Sequence, residues 1–344
     1  MNVAVTRCDA CGADIAPGLL ACPGCSRLVH GAELSKLAAT AATAEKAGDL
    51  TAALAAWRRA TELLPPQTTQ LSTIEARMKA LSGALDGRGA LPPGVAKPGG
   101  NRAGKAAGVG AVGLALLKAK TLVIALLANG KLLLLGLLKL PTLLSMLVYA
   151  HWMSGRGAGF ALGVVGCIYV HEVGHVAALR RYGIDASAPM FVPGFGALVR
   201  MKQYPTDAHE EARVGLAGPL WGLVATAVAA LLGAITGNPL ALSVASWSAS
   251  INLFNLVAFW QLDGARGLKA LSKNERLIVA GVAAIAAFAA HEWMPAVVGA
   301  FAAVRAFGPD AHPTGDRRML ALFVTLVVAL AALAALPAMA LTVS

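Results

Sequence analysis

Apolar runs dominate the chain from about position 112 onward, and the sparse polar positions between them divide it into helices. Stretches at about 140–153, 158–179, 211–236, 240–262, 276–290, 293–308 and 319–342 read as membrane-spanning helices, because a bilayer core asks for about 20 mostly apolar residues. Several are short, which predicts tilted or re-entrant segments. Residues 111–139 are also apolar but carry Lys118, Lys120, Lys131 and Lys139. That pattern predicts an amphipathic helix on the membrane surface, its lysines reaching the headgroups. Between the second and third runs, residues 189–200 set β-formers among Pro189, Pro193, Gly194 and Gly196 and predict a short hairpin.

The amino-terminal third has another pattern. Residues 33–85 read as alanine-rich helices, and 86–110, dense in Gly, Pro, Lys and Arg, as a flexible linker. The fold class is therefore an all-α polytopic membrane protein of about six or seven spans with a small membrane-associated β-hairpin, joined to a soluble N-terminal part. The domains expected are 1–32, 33–85, the linker 86–110, the interfacial helix 111–139 and the membrane domain 140–344.

Composition supports this division. Hydrophobic residues make up 57% of the chain and charged residues 14%, a balance soluble proteins do not show. The net charge of +11 sits mostly in loops and in the N-terminal half, so its expected partner is the lipid bilayer; nucleic acid is not expected. Arg180, Arg181, Arg200 and Lys202 follow one run, Arg266, Lys269, Lys273 and Arg276 another, and Arg305, Arg317 and Arg318 a third, while 236–240 and 291–295 hold no Lys or Arg. This alternation predicts a cytoplasmic N-terminus. The first residues show no secretory-signal pattern, and the expected location is a bacterial cytoplasmic membrane.

Two kinds of chemistry stand out. Cys8-x2-Cys11 and Cys22-x2-Cys25 are paired knuckles within 1–32. Four thiolates at this spacing complete a tetrahedral zinc site with no position left for water, a structural zinc that holds together a segment too small to build its own core. The second is H-E-x-x-H at His171, Glu172 and His175, inside the apolar run 158–179. Histidines four apart share one helix face and can hold one zinc ion, whereas Glu172 points about 100° round the helix, placed to take a proton from water. Ionisable side chains inside a membrane helix are costly and mark function. Arg180 ends the run, so the pair lies about 8–14 Å from the cytoplasmic end. A catalytic zinc needs a third protein ligand. Acidic residues are scarce in the apolar runs, and Asp263, which ends 240–262 at the matching depth, is the candidate; Gly264 beside it is read as permitting a sharp turn.

These motifs carry a resemblance. Residues 140–310 resemble the site-2 protease family of intramembrane zinc metalloproteases, which pairs H-E-x-x-H with N-x-x-P-x4-D-G. His171, Glu172, His175, Asn255, Asp263 and Gly264 match; Ala258 stands where the family usually has proline. The resemblance implies Asp263 as third zinc ligand, Asn255 as a substrate-positioning residue, and the 189–200 hairpin as an edge for an unwound substrate strand. Asn252 competes with Asn255 for any polar role. Gly215, Gly218 and Gly222 resemble the family's glycine-rich motif, or form a plain helix-packing face. Residues 47–65, with Gly48, Trp57, Ala60 and Pro65, resemble the second half of a tetratricopeptide repeat.

The implied function is a zinc endopeptidase that cleaves membrane-anchored proteins near the cytoplasmic side, with one catalytic and one structural zinc. Residues 1–85 are expected to dock a cytosolic protein partner. The rivals are an idle membrane scaffold and a zinc transporter.

Overall fold

The computed structural model describes residues 6–97, 157–187, 190–192, 196–198 and 203–336, with isolated positions at 146–148, 151 and 155. The interfacial helix expected at 111–139 and most of the first expected span lie outside the described residues. The chain divides into two compact units, one holding the residues up to Lys105 together with Arg180–Asp185, the other holding the rest.

In the first unit, strands β1 (Thr6–Arg7) and β2 (Asp14–Ile15) pair antiparallel, Thr6 opposite Ile15, and frame the first cysteine knuckle. Helices α1 (Gly31–Ala47), α2 (Leu50–Glu62) and α3 (Thr69–Leu85) follow. The α1–α2 elbow is built from two residues suited to it. Gly48 takes the left-handed conformation at φ 73°, and the Asp49 side chain accepts from the Ala52 amide to cap α2. Leu50, Ala53, Leu54, Met78 and Leu81 form the core. Glu45, buried on α1, ties the three helices: it accepts from Trp57 Nε1 at 2.8 Å and from Arg77 Nε at 3.2 Å.

The expected linker starts later than residue 86. Leu91 and Val95 pack on the helical core, and the Ala96 amide donates to the Glu45 carbonyl. A Cβ at Gly48 would meet the Lys97 carbonyl at 2.8 Å. Apolar residues interspersed among the prolines give this segment something to bury.

Burial works to raise the Glu45 carboxyl, but the hydrogen bonds from Arg77 and Trp57 outweigh it and hold the group below its ordinary value of 4.5. A carboxyl lowered in the folded state contributes stability above its unfolded value and loses it as pH falls through the folded one. The melting temperature of this unit is therefore expected to drop as pH falls below 4.5, and Glu45→Gln should flatten that dependence; differential scanning calorimetry across pH 3–7 checks it.

Arg180–Asp185 belongs to this unit by its contacts. The buried Tyr182 hydroxyl donates to Asp86 at 2.9 Å, Arg58 Nε donates to the Tyr182 carbonyl at 2.8 Å, and Thr51 Oγ1 donates to the Arg181 carbonyl at 3.0 Å. Gly183, at φ 69°, passes so close to the Ala55 backbone that no Cβ fits. Tyr182→Phe withdraws a donor from a buried carboxylate and should cost about 1–3 kcal/mol, read as earlier proteolysis of residues 6–97 with the remainder of the chain intact.

The second unit begins with α4 (Ala158–Arg181). The hairpin of β3 (Met190–Val192) and β4 (Gly196–Leu198) follows, with Phe191 opposite Ala197. Next come α5 (Ala208–Thr236), α6 (Pro239–Asn255), the short α7 (Asp263–Gly267), α8 (Lys273–Ala290), α9 (Trp293–Ala306) and α10 (Arg317–Ala334). Asp207, Asn238 and Asp316 cap α5, α6 and α10 through side-chain oxygens, and Ser272 with Glu275 forms a capping box on α8. Leu216, Leu253, Leu256, Leu268, Phe323 and Leu326 are fully buried between α5, α6, the α7 segment and α10.

By length and composition α4, α5 and α10 are able to cross a membrane, and α9 is a shorter apolar helix. Six or seven spans are thus not reached by this measure among the described residues. The run 240–262 is one reason: its helix stops at Asn255, and 256–262 is irregular, with Trp260 at φ 47°. The break occurs without the family proline at Ala258, which is buried in the core. Arg276, read above as a loop charge, is fully buried; it donates to the carbonyls of Leu268 and Arg305 and to Asp310 Oδ1.

Candidate metal centre

Helix α4 sets His171 and His175 one turn apart on its inner face, and their Nε2 atoms lie 3.1 Å from each other. Asp263, the first residue of α7, closes the arrangement from a distant part of the chain. Its Oδ2 is 3.0 Å from His171 Nε2 and its Oδ1 3.2 Å from His175 Nε2. The three residues are buried, at 3%, 7% and 9% exposure. Glu172 is buried as well, and its carboxylate lies within 4.8 Å of ligand atoms of both histidines.

The outer ring nitrogens are fixed. His175 Nδ1 faces the Val214 carbonyl at 2.7 Å and His171 Nδ1 faces Asn252 Oδ1 at 2.8 Å. Both partners only accept, so each Nδ1 carries a proton, and a neutral ring then presents its Nε2 lone pair inward. Two such lone pairs and a carboxylate converging at 3.0–3.2 Å are held together by a metal ion or by a shared proton. Donors at about 2.0 Å around a tetrahedral zinc stand about 3.3 Å apart. The residues fit zinc.

Glycines of α5 make the space. A Cβ at Gly218 would collide with Nε2 of both histidines, and one at Gly222 with the Asn252 amide. One at Gly215 would meet Arg266 Cβ at 2.8 Å and the Asp263 carbonyl at 3.0 Å. A Cβ at Gly174 of α4 would meet the Ala217 carbonyl at 2.6 Å. Gly264 differs from its expected role. It has no left-handed φ and sits within α7, where a Cβ would strike the Leu256 carbonyl. Its task is close approach of the returning chain, not a turn.

Asn255, the other matched residue, is half-buried at the end of α6. The amide that reaches His171 belongs to Asn252, which the motif spacing does not single out. Its signal is its position four residues after Ser248 on the stripe of small residues Ala245, Ser248 and Ala249, all buried.

In the other unit, the cysteines form the second metal-ligating cluster among the described residues, with all four sulfurs within 4.8 Å. Cys8 Sγ lies 3.7 Å from Cys25 Sγ and Cys11 Sγ 3.5 Å from Cys22 Sγ, close to the edge of about 3.8 Å that tetrahedral zinc–thiolate bonds give. None is in a disulfide. The backbone amides of Ala10 and Cys11 hold the Cys8 thiol down to about 6, which favours the thiolate form that a ligand must take. This is a zinc ribbon.

Residues 159–244 match the profile described as Peptidase family M50. The chain is 28% identical over 109 residues to the zinc metalloprotease MJ0392 of Methanocaldococcus jannaschii, which covers 30% of this chain and 31% of that protein. It is 29% identical over 129 residues to Rip3 of Mycobacterium tuberculosis, provisionally described as a zinc metalloprotease, covering 35% of this chain and 32% of Rip3. EGY2 of rice, described as a probable chloroplastic zinc metalloprotease, is 38% identical over 80 residues, 22% of this chain and 15% of that protein. The matched stretch spans less than a third of each relative's length, at 31%, 32% and 15%. No solved structure matches.

Proposed function

We propose, from the match of residues 159–244 to peptidase family M50, that this chain is a membrane zinc metalloprotease, an intramembrane endopeptidase of the site-2 type. Its substrates are membrane-anchored proteins, cut near the cytoplasmic side. The observation that supports this most is the triangle of His171, His175 and Asp263, whose two Nε2 atoms lie 3.1 Å apart and face the two Asp263 oxygens at 3.0 and 3.2 Å, with Glu172 beside it.

His171, His175 and Asp263 would hold the metal. A zinc ion there supplies Lewis acidity to a scissile carbonyl and makes water a better nucleophile at neutral pH. Glu172, free of the triangle, accepts the proton from the attacking water and passes it to the leaving amine. Burial of all four residues excludes bulk water and strengthens each electrostatic contact. A helical substrate keeps its peptide bonds shielded, so it must unwind first, and the β3–β4 hairpin offers strand edges for the unwound form. Asn255 is the substrate-positioning candidate. The ribbon and helices of residues 1–85 serve as a cytosolic docking unit, and six or seven spans with the N-terminus in the cytoplasm complete the topology.

Metal accounting tests the reading. Purified full-length protein should carry about two zinc ions per chain, and His175→Ala or Asp263→Ala about one, since each removes a ligand from a three-ligand site. Stripping with chelator should stop cleavage of single-span substrates in liposomes, and added zinc should restore it. Cleavage that survives stripping would end the zinc-protease reading; full zinc in Asp263→Ala would remove Asp263 from the ligand set.

A further inference from the structure

The two candidate zinc-ligating imidazoles are held in different ways, and the difference has a consequence. His175 is oriented by a main-chain carbonyl, that of Val214. His171 is oriented by a side chain, Asn252, buried to 3% exposure on α6. We propose that Asn252 is the positioning residue of the metal centre: its amide oxygen locks the His171 tautomer and ring so that Nε2 faces the ion. This rests on the zinc-site reading above and goes beyond the ligand set itself.

The seat of Asn252 is built for that orientation. Its Nδ2 donates to the Ser248 carbonyl at 2.8 Å, which leaves Oδ1 facing the imidazole. An amide turned the other way would set two donors, or two acceptors, against each other at both ends. The ledge beneath is equally specific. Gly222 leaves the room the amide occupies, because a Cβ there would overlap Oδ1, Cγ and Nδ2 of Asn252. The Gly222 carbonyl accepts from Thr226 Oγ1 at 2.8 Å, and that hydroxyl lies 2.7 Å from Ser248 Oγ. The Gly222 carbonyl of α5 and the Ser248 hydroxyl of α6, both beside the amide, are thereby tied through Thr226.

An imidazole whose outer nitrogen has lost its acceptor rotates and samples the wrong tautomer, and such losses typically lower metal affinity about 10- to 100-fold. A residue that only fills space would be insensitive to which polar atom it offers. Three variants separate these cases. Asn252→Leu keeps the branching at Cγ and the number of heavy atoms and removes the acceptor. Asn252→Asp keeps an acceptor toward His171 and gives up the Nδ2 donor. His175→Ala sets the zinc content of a chain without the membrane-site ion.

Zinc retention is measured by competition with a chelator on the full-length protein in detergent, and the thermal melt of chelator-stripped samples is recorded alongside. Asn252→Leu should release the membrane-site zinc at about 10- to 100-fold lower chelator concentration, Asn252→Asp should recover most of the wild-type retention, and the stripped proteins should melt alike. Wild-type retention in Asn252→Leu would overturn the assignment. So would an Asn252→Asp protein as leaky as the leucine variant, because aspartate keeps the acceptor toward His171 that the assignment says is sufficient. If Asn252→Leu fails to fold, Asn252→Ala takes its place, since it removes the acceptor toward His171 without adding bulk. Should wild type carry no more zinc than His175→Ala, this assignment and the protease reading fall together; any other failure leaves that reading standing.

Discussion

Glu172→Gln should bring cleavage down by about 10²- to 10⁴-fold, the usual worth of a positioned general base, while zinc content stays that of wild type. The two halves of this expectation come from different parts of the geometry. The triangle of His171, His175 and Asp263 is complete without Glu172, so an amide at 172 leaves every proposed ligand in place. The glutamate is nonetheless buried within 4.8 Å of the histidine ligand atoms, close enough for its carboxylate to exchange a proton with a water held there. Glutamine matches its size but accepts no proton. The measurement is cleavage of a panel of single-span substrates in liposomes, with zinc counted on the same samples. Equal cleavage by the two proteins would leave Glu172 without a catalytic role. Lost cleavage together with lost zinc would instead make Glu172 a ligand.

What the chain discloses by local pattern and what it discloses only when folded divide along physical lines. The spacing of His171 and His175 is a property of one helix, and the four cysteines sit in one short segment; both are readable because helix and knuckle geometry are local. The hairpin at Met190–Val192 and Gly196–Leu198 announced itself through its turn residues in the same way. Asn252 against Asn255 was not decidable so. Both lie on α6 three residues apart, and the choice depends on how α6 turns toward α4, which is settled by Gly222 of a third helix. The end of α6 was hidden for a different reason: 256–262 is apolar but for Gln261, so no proline, glycine or charge marks the break. Arg180–Asp185 reads as the charged end of a membrane helix, yet Tyr182 and Ile184 are buried in the unit that holds α1 to α3. Only long-range partners such as Asp86 and Arg58 make those residues interior. Arg276 shows the same effect on charge: the carbonyls that surround it come from chain segments far from it in sequence.

Gly218→Ala should empty the membrane site, lowering zinc by about one equivalent and abolishing cleavage with it. The substitution adds a single carbon to a helix, and by intrinsic propensity alone it would stabilise α5 by about 1 kcal/mol. Propensity is outweighed here by position. The added Cβ would stand in contact with Nε2 of His175 and His171, the atoms proposed to bind the ion. Neither ring can swing aside without giving up its outer hydrogen bond, to the Val214 carbonyl at 2.7 Å or to Asn252 Oδ1 at 2.8 Å. Moving α5 outward would forfeit the close packing that Gly215 and Gly222 make on either side. The matched control is Gly166→Ala on α4, where a Cβ meets nothing within 4 Å and zinc and cleavage should both persist. Zinc counting and substrate cleavage on the two variants side by side read the result. A Gly218→Ala protein that keeps its full zinc would show that α5 yields, and that the glycines serve helix packing alone and not the metal centre.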